Sequence, residues 1–208
     1  MLNILYTFET FISIKMPKTE LFNREIALEQ ATGVFHDKGF NATSIQDLVD
    51  ATGLNRSSIY NSFISKLELY LECLKYYESN FNRETSKSLL KATDPLHAIN
   101  LIFELYIDII TKEKYDKGCL ISNCKAEMAN HDKSITLFLE NNQSNMLMLL
   151  EDLVSNGQET AVINKKQSAK DYALYLYSSL QGFRMTGILI TNRTQLTSIV
   201  KSVLQSIT

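Results

Sequence analysis

An all-α fold is the expectation, and three observations carry it. Seven glycines and two prolines in 208 residues is about a third of the ~12% that soluble chains average, so few places exist to turn a hairpin or a βα loop. Apolar residues recur at intervals of three and four through most of the chain, the period of an amphipathic helix. Ser, Thr, Asp or Asn stands before many of these runs, where a helix needs an acceptor for its first N–H groups. At 45% apolar and 21% charged residues the composition is globular, which argues against wholesale disorder and allows a core without disulfide staples. A net charge of −2 removes any whole-chain attraction to nucleic acid or to an anionic membrane, so affinity for DNA must come from a local motif.

About nine helices follow in order. Phe22, Ile26, Ala27, Ala31, Val34 and Phe35 make the first, expected to end at Gly39. Thr43 and Ser44, with Asp47 at capping distance, open a short second helix carrying Leu48, Val49 and Ala51 before Gly53. Asn55 to Ser58 opens a third short helix with Ile59, Tyr60 and Phe63 inward, and two short helices around a glycine turn form a helix-turn-helix. A long helix runs from Ser65 to about Leu90 on Leu67, Tyr70, Leu71, Leu74, Tyr77 and Phe81. Asp94 and Pro95 then start a fifth, which reaches the charged break at 112–118. A short helix spans Cys119 to about Ala129, and another spans about Asp132 to Ser155 with Asn156-Gly157 expected to end it. Ser168 caps the eighth, and Leu196 to Ile207 form the last.

The eighth helix has a pattern the others lack. Ala169, Ala173, Leu176, Leu180, Phe183, Gly187 and Ile190 are spaced alternately four and three, a heptad seam, while Tyr172, Leu174, Tyr175 and Tyr177 make other faces apolar. Such a helix is buried from two sides; a two-fold dimer is the simplest source of the second surface, the alternative being that the last two helices merely complete an intrachain core. The expected interface is Ala173, Leu176, Leu180, Phe183, Gly187 and Ile190, with Val200 and Val203 of the last helix completing a four-helix bundle.

The run from Thr43 to Lys66 carries the chemistry. It reads Thr43, a short helix, Ala51-Thr52-Gly53-Leu54, the pair Ser57-Ser58, Ile59-Tyr60-Asn61-Ser62-Phe63 and Ser65-Lys66, preceded by Phe35, Gly39 and Phe40. This resembles the DNA-binding domain of the TetR family of bacterial transcriptional regulators over about 50 residues. Weaker echoes of that family's regulatory domain are Gly118-Cys119-Leu120 followed by Glu127, and Gln181-Gly182-Phe183. The resemblance implies a DNA-binding domain at 16–65 and a ligand-binding and dimerisation domain at 66–208. Physical chemistry points the same way, since the N-terminal end of such a second helix delivers side chains to base edges in the major groove. Arg56 is the residue there able to grip guanine O6 and N7 together. Ser57 and Ser58 are short donors, Tyr60 and Asn61 lie one turn on, and Thr43 and Lys66 stand at helix N-termini where phosphate is bound. Singly, each has a plainer reading as a solvated charge, a cap or a core ring; their co-occurrence at motif spacing overrides it. Residues 16–70 hold five basic and seven acidic side chains, so binding depends on placement and on salt. Val49 stands where the family usually has alanine.

The family's architecture further implies a pocket whose occupancy moves two DNA-binding heads. Phe103, Tyr106, Cys124, Met128, Phe138, Met146, Tyr175 and Phe183 lie on inward stripes and would suit a bulky, largely apolar small molecule. The partners expected are a palindromic double-stranded operator, a small-molecule effector and a second copy of the chain, with repression as the expected mode, no membrane and no cofactor. Catalysis is not expected. His36, His97 and His131 fall in separate elements, there is no HExxH, GxSxG or phosphate-binding glycine loop, and Asp94-x-x-His97 reads as a helix cap rather than a metal ligand pair. A DNA-binding architectural or adaptor protein without a metabolite is the alternative. Cys73, Cys119 and Cys124 match no zinc or redox spacing and read as reduced thiols in the cytoplasm. Residues 1–15 are expected to be a dispensable extension ahead of a start at Met16.

Overall fold

The computed structural model describes residues 22–112 and 117–208. The expectations for residues 1–15 and for the stretch 16–21 therefore lie outside the described residues. Among those described are nine helices and no strand, and no helix among them is long and apolar enough to cross a membrane.

The first three helices form a head. In α1 (Arg24–Ala42) the Asn23 carboxamide accepts from the N–H groups of Glu25 and Ile26. Gly39 does not end this helix but kinks it, at φ 76° and ψ 172°, and one further turn follows. Helix α2 (Ile45–Thr52) opens on a full capping box between Ser44 and Asp47 and closes on Gly53 at φ 67°, a left-handed conformation that costs glycine little. Helix α3 (Arg56–Phe63) is capped by Asn55, which accepts from the Ser58 N–H. Ala31, Phe35, Leu48, Ile59 and Phe63 close the three around one core.

That core does not stop at the head. Leu69, Tyr70, Cys73 and Leu74 from α4 (Lys66–Leu89) join it, as do Leu120, Cys124 and Met128 of α6 (Leu120–Met128) and Ile135, Phe138 and Leu139 at the start of α7 (Lys133–Glu159). The head is thus continuous in packing with α6. A second core gathers α5 (Pro95–Lys112), the rest of α7, α8 (Ala169–Gly187) and α9 (Arg193–Gln205) around Ile102, Phe103, Ile107, Leu150, Leu176 and Val200.

One helix end departs from expectation for a packing reason. Helix α7 runs past Asn156-Gly157 to Glu159. Gly157 is buried in its flank, where a Cβ would stand 2.5 Å from Ile163 Cδ1. This glycine permits close approach of the returning chain, and the reversal falls instead at Ala161, at φ 59°.

The capping box makes the head sensitive to acid. Lys38, 2.7 Å away, and the N–H and hydroxyl of Ser44 hold the Asp47 carboxyl down to about 2 from its ordinary 3.8. A carboxyl depressed on folding contributes stability above its ordinary value, and the contribution is lost as pH falls toward the folded value. Asp47→Asn is expected to flatten the acid-unfolding profile between about pH 4 and 2, followed by circular dichroism. Superimposable profiles for variant and wild type would show that the box adds nothing.

Candidate functional site

The exposed face of α3 brings together most of the residues expected to read DNA. Arg56, Ser57 and Asn61 are exposed, Tyr60 is 43% exposed, and Ser58 is half-buried. The Asn55 carboxamide oxygen accepts from Ser58 N–H at 2.8 Å and from the Ser57 hydroxyl at 2.9 Å, which sets the first turn. Arg24 lies on Glu72 at 2.7 and 2.8 Å, Lys38 on Asp47, and Lys66 on backbone carbonyls. Among the described basic side chains of the head, Arg56 alone makes no such bond, so its guanidinium is available to an outside acceptor. Its place at the first position of α3 adds the partial positive charge of the helix N-terminus.

Two further residues of the expected DNA set are engaged within the chain. Thr43 is 1% exposed, and its hydroxyl donates to the Gly39 carbonyl at 2.6 Å; burial leaves it no surface for phosphate. Lys66 donates through Nζ to the carbonyls of Phe40 and Thr43, 2.8 Å each, with the ammonium 4.3 Å from the centre of the Phe40 ring. It braces the end of α1. Ile64, which no sequence signal marked, closes α3 at φ 65° and is 79% exposed. A β-branched residue seldom takes this conformation, and here it lets Ser65 cap α4 at once.

Between head and body lies a junction that sequence reading missed. The Glu127 carboxylate at the end of α6 accepts from the N–H groups of Phe40 and Asn41, at 2.8 and 2.7 Å. The Gly118 carbonyl accepts from His36 Nε2 at 3.1 Å and from Arg184 of α8 at 2.6 Å. Lys117 pairs with Asp37 across the same seam. Arg184 is only 2% exposed and lies 5.4 Å from the centre of the Tyr106 ring. Glu127 had been noticed as a family-like residue without a role, and Arg184 carries no signal at all, because a cation on a buried helix face looks like a surface residue until the fold is known.

A cavity of about 100 Å³ lies beside this junction, with walls from α4 to α8. Tyr77, Phe81, Tyr106, Ile121, Met146, Leu149, Tyr177 and Leu180 form its apolar and aromatic part; Glu78, Asn82, Ser122, Asn142, Asn145 and Gln181 form its polar part. Burial above all pushes the Tyr77 and Tyr106 hydroxyls up, so both are neutral donors. Of the eight residues expected to line a pocket, Tyr106 and Met146 line this cavity. Cys124, Met128 and Phe138 belong to the core shared with the head. Phe103 and Phe183 meet edge to face at 5.6 Å inside the second core, and Tyr175 is 40% exposed on the outer side of α8. Inward stripes fill cores first, so a cavity is left where polar residues also turn inward. Its volume is below the ~300–1,000 Å³ of sites for drug-sized ligands, so a bulky, largely apolar compound does not fit it as it stands.

The heptad seam on α8 is likewise satisfied within the chain. Ala173, Leu176, Leu180, Phe183, Gly187, Val200 and Val203 are all buried, and a Cβ on Gly187 would stand 2.5 Å from Ile110 Cδ1 of α5. Within the single chain these residues leave no exposed surface for a partner; Ile190, beyond the helix, remains exposed. The stripe that α8 turns outward is Leu174, Ser178, Gly182 and Met185, with Leu189 just past its end.

Comparison with known proteins accords with this geometry. The family profile described as "Bacterial regulatory proteins, tetR family" matches residues 27–73, and "Tetracyclin repressor-like, C-terminal domain" matches residues 95–203. The uncharacterized HTH-type transcriptional regulator YezE of Bacillus subtilis is 28% identical over 142 residues, 68% of this chain and 71% of that protein. The HTH-type transcriptional repressor DhaR of Mycobacterium sp. is 26% identical over 160 residues, 76% of this chain and 79% of that one. Among solved structures, the TetR family regulator CifR, complexed with a 26 bp double-strand operator DNA, shares the fold with a TM-score of 0.80 at 19% identity, covering 90% of this chain and 97% of its own. With a helix-turn-helix whose reading face is exposed, and with profile matches on both its N-terminal and C-terminal parts, the chain belongs to the TetR family, non-enzymatic DNA-binding regulators of transcription.

Proposed function

We propose that the protein is a cytoplasmic, ligand-responsive repressor: a homodimer whose heads, residues 16–65, grip a palindromic operator and release it when a small molecule occupies the cavity in residues 66–208. The observation that carries this reading is the exposed α3 face, where Arg56 stands without an internal partner beside Ser57, Tyr60 and Asn61. One head covers a single half-site, so useful affinity needs two. The outward stripe Leu174, Ser178, Gly182, Met185 is the surface we assign to the two-fold contact, small residues at its centre allowing close approach. The mixed lining suits an effector with an aromatic body and hydrogen-bonding groups. The cavity's modest volume is the one observation that favours a second reading, a DNA-binding adaptor of the same fold that takes no metabolite.

Selection of bound duplexes from a random pool is the test. A two-fold symmetric sequence is expected, and enrichment of an asymmetric site, or none, would sink the dimeric reading. Release of the selected duplex by a low-molecular-mass cell extract separates the sensor from the adaptor.

A further inference from the structure

We infer that Glu127 is the positioning residue that fixes the angle of the DNA-binding head, and with it the half-site spacing the protein accepts. The inference rests on the proposed dimer with two half-sites. Gly39 breaks the ladder of α1 at φ 76°, and the two N–H groups that follow it, of Phe40 and Asn41, converge on the carboxylate of Glu127. Successive N–H groups after a left-handed residue form a small anion-binding concavity, and bonds to an ionised acceptor are the short, strong kind. The same turn is held from its carbonyl side, since Lys66 donates to Phe40 and Thr43. The segment leading into α2 and α3 is therefore gripped by a carboxylate on one side and an ammonium on the other.

The carboxylate belongs to the body, not to the head. Glu127 stands in the last turn of α6, the end of a helix where a negative charge is disfavoured by the dipole, so α6 itself gains nothing from it. Gly39 is required by its φ of 76°, and a Cβ there, 2.9 Å from Glu127 Oε2, would push the carboxylate aside. At its other end α6 is tied to α8 through Ser122 and Gln181, at 2.8 Å, and Cys119, Ile121 and Ser122 face the cavity. A displacement of α6 is thus handed to the head through two backbone hydrogen bonds. In a two-fold dimer the displacement is doubled at the DNA.

The test is a spacing series. The selected palindrome is rebuilt with its half-sites one and two base pairs closer or farther, and dissociation constants are measured by fluorescence anisotropy for wild type, E127A, E127Q and G39A. Each added base pair shifts and rotates a half-site by about 3.4 Å and a tenth of a turn. Wild type is expected to weaken by about tenfold or more away from its optimum. E127A and G39A are expected to flatten the profile to within about threefold while keeping the half-site sequence preference, and E127Q, with one acceptor left, to fall between. A purely structural role would lower affinity at every spacing alike. E127Q, which keeps the volume of the native side chain, decides the matter if E127A folds poorly. A sharp optimum retained in both Glu127 variants overturns this inference alone. Equal wild-type affinity for a single half-site and for the palindrome removes the dimeric reading and this inference with it.

Discussion

Arg56→Ala is expected to leave the fold and its thermal midpoint unchanged and to cost about 1–3 kcal/mol of operator affinity at each half-site. The fold is indifferent because the side chain is exposed and makes no internal bond, and alanine is the better helix former in the first turn of α3. The affinity falls because no other cation is free to replace it among the described residues of the head: Arg24, Lys38 and Lys66 are engaged with Glu72, Asp47 and the end of α1. Two half-sites make the loss roughly double in the dimer, on the order of a hundredfold or more in dissociation constant. Anisotropy titration against the selected duplex checks this. An Arg56→Ala protein that keeps wild-type affinity would move the reading face off α3.

Leu176→Glu and Met185→Glu, nine residues apart on α8, are expected to fail in opposite ways. Leu176 is fully buried in the second core, and a carboxylate there loses the leucine packing and meets no partner, a loss of at least about 4 kcal/mol. Against a total stability of roughly 5–15 kcal/mol, much of the population unfolds. Met185 is 56% exposed, so Met185→Glu changes stability by no more than about 0.5 kcal/mol. Placed twice across a two-fold axis, however, the new charges repel, and the protein becomes a folded monomer with weakened operator binding. Circular dichroism melts and sedimentation equilibrium distinguish the two. A folded monomer from Leu176→Glu would return the seam to the interface, and a dimeric Met185→Glu would remove the outward stripe from it.

Local physical chemistry is what the sequence carried well. Capping residues announced the starts of helices because they act within three residues of themselves, and Ser44, Asn55, Ser65, Asp132 and Ser168 all accept N–H groups of the first turn. Gly53 and Gly39 were legible as breaks for the same reason, a backbone conformation other residues resist. The helix-turn-helix was legible too, because a motif of this kind is contiguous: Arg56, Ser57, Tyr60 and Asn61 share one short helix.

What depended on distant partners was not legible. A heptad seam states that a stripe will be buried but not against what, and the answer turned on Ile110 of α5 standing against Gly187, 77 positions away in the chain. The hydrogen bonds of Thr43 and Lys66 to the turn after Gly39 had no sequence signal either. Inward stripes named eight pocket residues, yet the cavity opened where tyrosines and amides from α4, α5, α7 and α8 failed to close, a matter of summed volumes that no periodicity encodes. Glu127 and Arg184 acquired their partners only when α6 was laid between α1 and α8. Sequence by itself determined the all-α class, most helix starts and the helix-turn-helix, all set by interactions within a few residues. Tertiary structure decided which apolar face stays outside, where the cavity lies and which charge holds the head, because those follow from contacts between segments that only packing brings together.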